Sequence, residues 1–118
     1  MLSRICAIMQ GHSGIDPTSI RLLVEFVNRE IYPVIPEHGS VGASGDLVQL
    51  SHIALAMIGE GQVSYRGEIR ETKEVFEIEG LKPIEIKVRE GLSLINGTSS
   101  MSGIGAINVI RAERLMQW

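Results

Sequence analysis

Several features that would assign a chain to a membrane, secreted or nucleic-acid-binding class are missing from this 118-residue sequence. It has one cysteine, so no disulfide can form within the chain, which favours a reducing, cytoplasmic setting. Its apolar runs are short and interrupted, whereas a transmembrane helix needs about 20 apolar residues. Residues 1–6 lack the charged region, apolar region and cleavage site of a signal peptide. We therefore expect no membrane partner.

Neither sign of charge is in large excess, and histidine is rare. Eleven basic and fourteen acidic residues give a net charge of −3, which does not indicate a nucleic-acid-binding surface. The spacings of His12, His38 and His52 fit no zinc pattern, so we expect no metal ion. We expect His52 to be packed or hydrogen-bonded rather than to act as a base, and Cys6 to pack within a helix.

Apolar periodicity predicts a chain that is mainly α-helical. Residues 1–10 are typical of the end of a buried helix that Gly11 terminates. Asp16 and Pro17 are a typical N-cap and first helical residue, and the helix that they start is expected to reach about Glu30. The first 30 residues thus predict two helices.

The next part of the chain predicts a loop and a third helix. Residues 32–39 hold two prolines and a glycine, which is typical of an extended loop. Asp46 is placed to cap a helix whose apolar face runs from Leu47 to Ile58, and Gly59 would end it. A glycine-rich segment therefore leads directly into a helix.

A small β element is expected between residues 62 and 89. Short strands are predicted at Val63–Tyr65, Val75–Glu79 and Ile84–Val88, with a turn at 66–67. Helical periodicity returns over Ser99–Trp118, where small residues at 102–106 would allow close contact between helices. We expect one partial domain over residues 1–118, mainly α with a small β element.

The glycine-rich segment has the residues for an unusual backbone reaction. In a tight turn, the amide nitrogen of Gly45 can attack the carbonyl carbon of Ala43, and loss of water closes a five-membered ring. Loss of the Ser44 hydroxyl as a second water leaves an exocyclic alkene, which is an electrophile that ordinary side chains do not provide. Gly45 lacks a Cβ and can approach its neighbour, and Asp46 could assist the proton transfers.

The residues alone also allow plainer interpretations of this segment and of Asn96. Residues 39–45 could be an ordinary glycine-rich loop before a helix. A phosphate-binding loop is disfavoured because no Gly-Lys-Ser/Thr follows and no strand clearly precedes it. Asn96, whose amide both donates and accepts hydrogen bonds, could likewise belong to a plain turn with Gly97.

Three segments together carry a resemblance to a known family. GSVGASGDL at residues 39–47, GHSGI at 11–15 and LINGT at 94–98 occur in the order found in the histidine and aromatic amino acid ammonia-lyases. The resemblance covers nearly the whole chain. It implies that this is an internal fragment of the N-terminal half of a largely helical enzyme, with flanking parts absent.

The resemblance also implies a prosthetic group and a reaction. Ala43-Ser44-Gly45 would form 4-methylidene-imidazol-5-one (MIO), Asp46 would be needed for its formation, and Asn96 would orient the group and the substrate. The reaction implied is elimination of ammonia from histidine or an aromatic L-amino acid to give an α,β-unsaturated acid. The family's base lies upstream and its carboxylate-binding arginine downstream, and its members are homotetramers. The fragment alone is therefore expected to be inactive.

Two alternatives to the lyase reaction remain. An MIO-dependent aminomutase would use the same group and return ammonia to the β-carbon, and a non-catalytic fragment would serve only structure or oligomerisation. Some positions depart from the family pattern: Cys6 replaces a common Asn, Gln49 a common Pro, and Ser99 begins a pair where histidine ammonia-lyases commonly have Gln. These departures leave the substrate open.

Overall fold

Six helices and three short strands make up the chain, whose computed structural model describes residues 1–118. In chain order they are α1 (Leu2–Ile8), α2 (Pro17–Asn28), β1 (Tyr32–Pro33), α3 (Leu47–Met57), β2 (Gln62–Tyr65), β3 (Glu68–Glu71), α4 (Thr72–Glu79), α5 (Glu90–Ile95) and α6 (Ser99–Met116). The prediction of a mainly helical chain with a small β element is confirmed. None of the helices is both long enough and apolar enough to span a membrane.

Helix α2 begins as the sequence predicts. Pro17 is its first residue, and Asp16 adopts an extended conformation and accepts the backbone N–H of Thr18 at 2.9 Å. This bond satisfies one of the N–H groups that have no partner inside the first helical turn. The helix ends at Asn28, close to the expected Glu30.

The hydrophobic core lies between α2, α3, α4 and the sheet. Phe26 of α2 and Phe76 of α4 meet edge to face, with ring centroids 5.7 Å apart. The apolar face of α3 is buried as predicted, through Leu50, Ile53 and Met57. The strands form an antiparallel sheet in the order β1-β2-β3. This core fixes the start of α3, and hence the segment before it.

Two of the predicted strands are wrong. Val75–Glu79 lies in helix α4, where Thr72, Val75 and Phe76 are buried at helical spacing and Gly80 ends the helix with a φ of 63°. Residues 84–88 form no strand, and Val88 is 92% exposed, because no neighbouring strand is available to pair with them. Strand β2 pairs instead with β1 on one side and, on the other, with β3, which follows the predicted turn.

Helix α6 confirms the predicted helix, but its small residues make no close contact. A Cβ added at Gly103 or Gly105 would meet nothing within 4 Å. The large apolar side chains of α6 are exposed, including Met101, Ile104 and Ile107. Cys6 is also exposed on α1, so the prediction that it packs inside is wrong.

Candidate active site

The Ala43–Asp46 segment forms a tight turn immediately before α3. The Asp46 N–H donates to the Ala43 carbonyl at 3.2 Å, which closes the turn over Ser44 and Gly45. Both central residues have positive φ, 53° for Ser44 and 90° for Gly45, as in a type I′ turn. A serine pays a steric cost in this region that glycine does not, so the turn holds Ser44 in a strained conformation.

Gly45 is buried against the segment that contains Asn96. A Cβ built on Gly45 would lie 2.7 Å from the Gly97 carbonyl oxygen and 3.5 Å from the Cα of Thr98. Only glycine fits there without displacing backbone. The structure thus brings the GSVGASGDL and LINGT segments into backbone contact, although they are about 50 residues apart.

Asp46 does not cap α3 in the way that its position suggests. It occupies the N-cap position, but its backbone is left-handed with a φ of 59°, and its side chain accepts no hydrogen bond from the helix. Its carboxylate accepts the Ser40 hydroxyl instead. The predicted side-chain cap is therefore wrong, because the turn rotates the carboxylate away from the helix and across the glycine-rich loop.

The GHSGI segment is attached to the same region through α5. The Ser93 hydroxyl on α5 donates to the Ser13 carbonyl at 2.6 Å. Arg4 of α1 donates through Nη2 to the carbonyls of Ser93 and Asn96, the latter at 2.9 Å. All three sequence segments therefore meet at the C-terminal end of α5.

Sequence reasoning missed Arg4, which is 4% exposed. Burial lowers the pKa of its guanidinium. A signal was present in the sequence: Arg4 shares the buried face of α1 with Ile5 and Ile8, where a charged residue is rarely found without partners.

A second polar cluster joins the start of α2 to the start of α5. Glu90 is 3% exposed, and its carboxylate accepts the backbone N–H groups of Asp16 and Lys87, each at 2.9 Å. These bonds, with one from Ser19, hold the pKa of Glu90 below its ordinary value. The Lys87 ammonium lies 2.8 Å from the Asp16 carboxylate. Its hydrogen bond is the main reason that the pKa of Asp16 lies below its ordinary value.

Three of the four residues named for the ring itself and for orientation lie at the surface of the chain. Ala43, Ser44 and Asn96 are exposed, whereas Gly45 is buried. The largest hollow lies elsewhere, between α1 and α2, and is lined by residues such as Ile8 and Val24. The structure has no group of three His, Cys, Asp or Glu side chains arranged to hold a metal ion.

Known proteins similar to this chain agree on one family. A family model described as aromatic amino acid lyase matches residues 1–118. A tyrosine 2,3-aminomutase from Chondromyces crocatus is 53% identical over 117 residues, which cover 99% of this chain and 22% of that protein. A histidine ammonia-lyase from Geobacillus sp. (strain WCH70) is 48% identical over 115 residues, covering 98% of this chain and 23% of that protein.

The solved structures give the same result. The phenylalanine aminomutase of Pantoea agglomerans superposes with a TM-score of 0.90 at 39% identity, covering 98% of this chain and 22% of that chain. The chain belongs to the aromatic amino acid lyase family. It spans between a fifth and a quarter of the length of these members of the aromatic amino acid lyase family.

Proposed function

We propose that this chain is the MIO-bearing part of an enzyme that eliminates ammonia from histidine or an aromatic L-amino acid to give an α,β-unsaturated acid. The observation that carries the proposal is the turn of Ala43–Asp46. A hydrogen bond of 3.2 Å from the Asp46 N–H to the Ala43 carbonyl closes it, and it packs against Gly97. Its positive φ angles and the lack of space for a Cβ at Gly45 fit a tripeptide that must bend onto itself.

Ring formation can be written entirely with this chain's own atoms. The Gly45 nitrogen bonds to the Ala43 carbonyl carbon, and the carbonyl oxygen leaves as water with the amide hydrogens of Ser44 and Gly45. The Ser44 Cβ–O bond then breaks, and the hydroxyl leaves as a second water with the Cα hydrogen. The tight turn supplies the proximity that such an intramolecular attack needs. Asp46, next in the chain and hydrogen-bonded to Ser40, is the carboxylate proposed to move these protons.

The mature group would supply an electrophilic methylidene carbon for the amine of the substrate. Asn96 follows α5 directly and is exposed, so its amide is free to donate and accept hydrogen bonds at this surface. Its backbone carbonyl is held by Arg4, which fixes the direction of the loop. We therefore assign Asn96 to orienting the group and the substrate.

The mass of the tripeptide tests this proposal. In the complete polypeptide that contains residues 1–118, we expect the proteolytic peptide spanning residues 43–45 to be lighter by two waters. Ser44→Ala should abolish both this loss and the formation of urocanate, cinnamate or coumarate from histidine, phenylalanine or tyrosine. An open tripeptide of full mass in the purified protein would contradict the proposal and favour a non-catalytic structural role.

An MIO-dependent aminomutase is the second candidate. It is favoured by the 53% identity to a tyrosine 2,3-aminomutase, compared with 48% to a histidine ammonia-lyase. The two reactions share the proposed group and differ in whether ammonia returns to the β-carbon. Chromatographic detection of β-tyrosine or β-phenylalanine would establish the mutase. Accumulation of the unsaturated acid alone would establish the lyase.

We also propose that the protein is a homo-oligomer, as the family resemblance implies. The exposed apolar residues of α6, Ile104, Ile107 and Ile110 among them, form a surface of the kind that subunits cover. Light scattering on the complete polypeptide tests this, with a tetramer expected and a monomer contradicting it.

A further inference from the structure

Arg4 is a buried charge whose position needs an explanation. It is 4% exposed, and its Nε has no hydrogen-bond partner. Burying a guanidinium is costly unless its hydrogen bonds repay the loss of water. Arg4 forms no ion pair with a carboxylate, and both acceptors of its Nη2 are backbone carbonyls.

The two carbonyls that Arg4 binds belong to the end of α5. Ser93 lies in the last turn of α5, and Asn96 is its C-cap. Carbonyls at a helix C-terminus have no partner inside the helix and carry partial negative charge, so a cation there is favourable. Arg4 therefore fixes where α5 ends and where the chain leaves it.

The guanidinium also lies directly against Gly97. A Cβ built on Gly97 would overlap Nη1 and would lie 3.3 Å from Cζ. On the other side, the Gly97 carbonyl faces Gly45. Arg4, Gly97 and Gly45 thus form a continuous line of contacts from α1 to the tripeptide, and neither glycine has room for a Cβ.

We propose that Arg4 is a positioning residue for closure of the ring, acting through Gly97. By holding the chain at 96–97, Arg4 keeps the Gly97 carbonyl against Gly45 and prevents the Ala43–Asp46 turn from opening. The inference rests on the proposed function, because it concerns the closure of that ring. It adds a residue on α1, outside the glycine-rich segment, to the parts that closure requires.

The test compares two arginines in the complete polypeptide. Arg4→Met replaces the guanidinium-bearing side chain with an unbranched apolar one and so removes the hydrogen-bond donors. Arg70→Met is the matched control, since Arg70 pairs with Glu68 at the surface on β3. The readouts are the rate at which the 43–45 peptide loses two waters after synthesis, and the melting temperature. We expect Arg4→Met to slow closure about tenfold or more, in keeping with the size of proximity effects. Arg70→Met should close at the wild-type rate, and Arg4→Lys should restore part of the lost rate.

Each outcome decides the inference. Wild-type closure in folded Arg4→Met overturns it and leaves the proposed function intact, whereas an open tripeptide in the wild type overturns both. If Arg4→Met does not fold, Gly97→Ala takes its place in the test. The Cβ added at position 97 displaces the guanidinium, while the arginine itself is retained. Slow closure in folded Gly97→Ala then supports the inference, and closure at the wild-type rate overturns it.

Discussion

The carbonyl oxygen of Gly97 faces Gly45 so closely that a Cβ on Gly45 would lie 2.7 Å from it. This contact joins the tripeptide to the loop that follows α5, and it involves backbone on one side and the missing side chain of a glycine on the other. A methyl group at Gly45 cannot be accommodated by a change of rotamer, because the atom that it meets is part of the main chain.

Gly45→Ala is therefore expected to block closure of the ring and to lower the melting temperature. Gly61→Ala is the matched control: Gly61 also has a positive φ, 72°, but a Cβ there would meet nothing within 4 Å. Both variants are destabilised by about 1–2 kcal/mol because alanine adopts a left-handed conformation. Only Gly45→Ala adds a collision between its Cβ and the Gly97 carbonyl oxygen. Peptide mass and thermal unfolding of the complete polypeptide measure the two effects. Equal behaviour of the two variants would show that the contact with Gly97 is unimportant.

Asp46 and Asp16 both precede a helix, and we expect opposite effects on stability and on ring closure when each is replaced. Asp46 makes no side-chain cap to α3, so Asp46→Asn should change stability little while slowing loss of the two waters. Asp16 does cap α2, so Asp16→Ala should cost about 0.5–2 kcal/mol of unfolding free energy and leave ring closure unchanged. Denaturant unfolding and peptide mass on both variants check this. Because asparagine caps a helix as well as aspartate does, the capping role is tested with Asp46→Ala, and a loss of stability as large as that of Asp16→Ala would restore it.

The sequence predicted those features that depend on local signals. Asp16 and Pro17 mark the start of α2 by chemistry that acts within one helical turn, and the structure agrees. The family resemblance likewise identified the segments that meet at α5. Asp46 shows the limit of such signals: its residue type and place indicate a cap, but two successive positive φ angles before it turn the carboxylate towards Ser40.

The errors arose where tertiary contacts decide the local structure. The stretch Val75–Glu79 is rich in β-forming residues, yet packing of Phe76 against Phe26 buries a helical face instead. Residues 84–88 alternate like a strand but have no partner strand. The place of Arg4 among the apolar residues of α1 indicated that it is buried, but its acceptors are backbone carbonyls some 90 residues away in sequence, which no local pattern records.

Glu90 predicts a pH dependence of stability. Its pKa lies below the ordinary 4.5 because backbone N–H groups of Lys87 and Asp16 stabilise the charged form. A carboxyl with a depressed pKa stabilises the fold fully above its unfolded-state pKa, and this contribution is lost as the pH falls through the folded-state pKa. Glu90→Gln should therefore destabilise the protein by about 1–3 kcal/mol at pH 7.

The difference in unfolding free energy between wild type and Glu90→Gln should narrow as the pH is lowered below 4.5, because the unfolded carboxyl takes up a proton there while the folded one is still charged. The difference should level off once the pH is below the depressed pKa of the folded carboxyl. Urea unfolding at several pH values measures it. Glu68→Gln is the control, because Glu68 is exposed and pairs only with Arg70, so its effect should be small throughout. A difference in unfolding free energy between wild type and Glu90→Gln that stays constant from pH 7 to pH 3 would contradict a stabilising role of the Glu90 charge.

The 118-residue chain alone should show no turnover of histidine, phenylalanine or tyrosine. Ala43, Ser44 and Asn96 are exposed on it, whereas a low-polarity, water-excluded site is what makes such chemistry fast. The chain also spans only 22% of the Chondromyces crocatus tyrosine 2,3-aminomutase. A chimera in which residues 1–118 of this chain replace the matching segment of that relative should therefore contain a closed ring. The same chimera with Ser44→Ala should not. Measurable urocanate, cinnamate or coumarate from the purified 118-residue chain would show that this segment already contains a sufficient site.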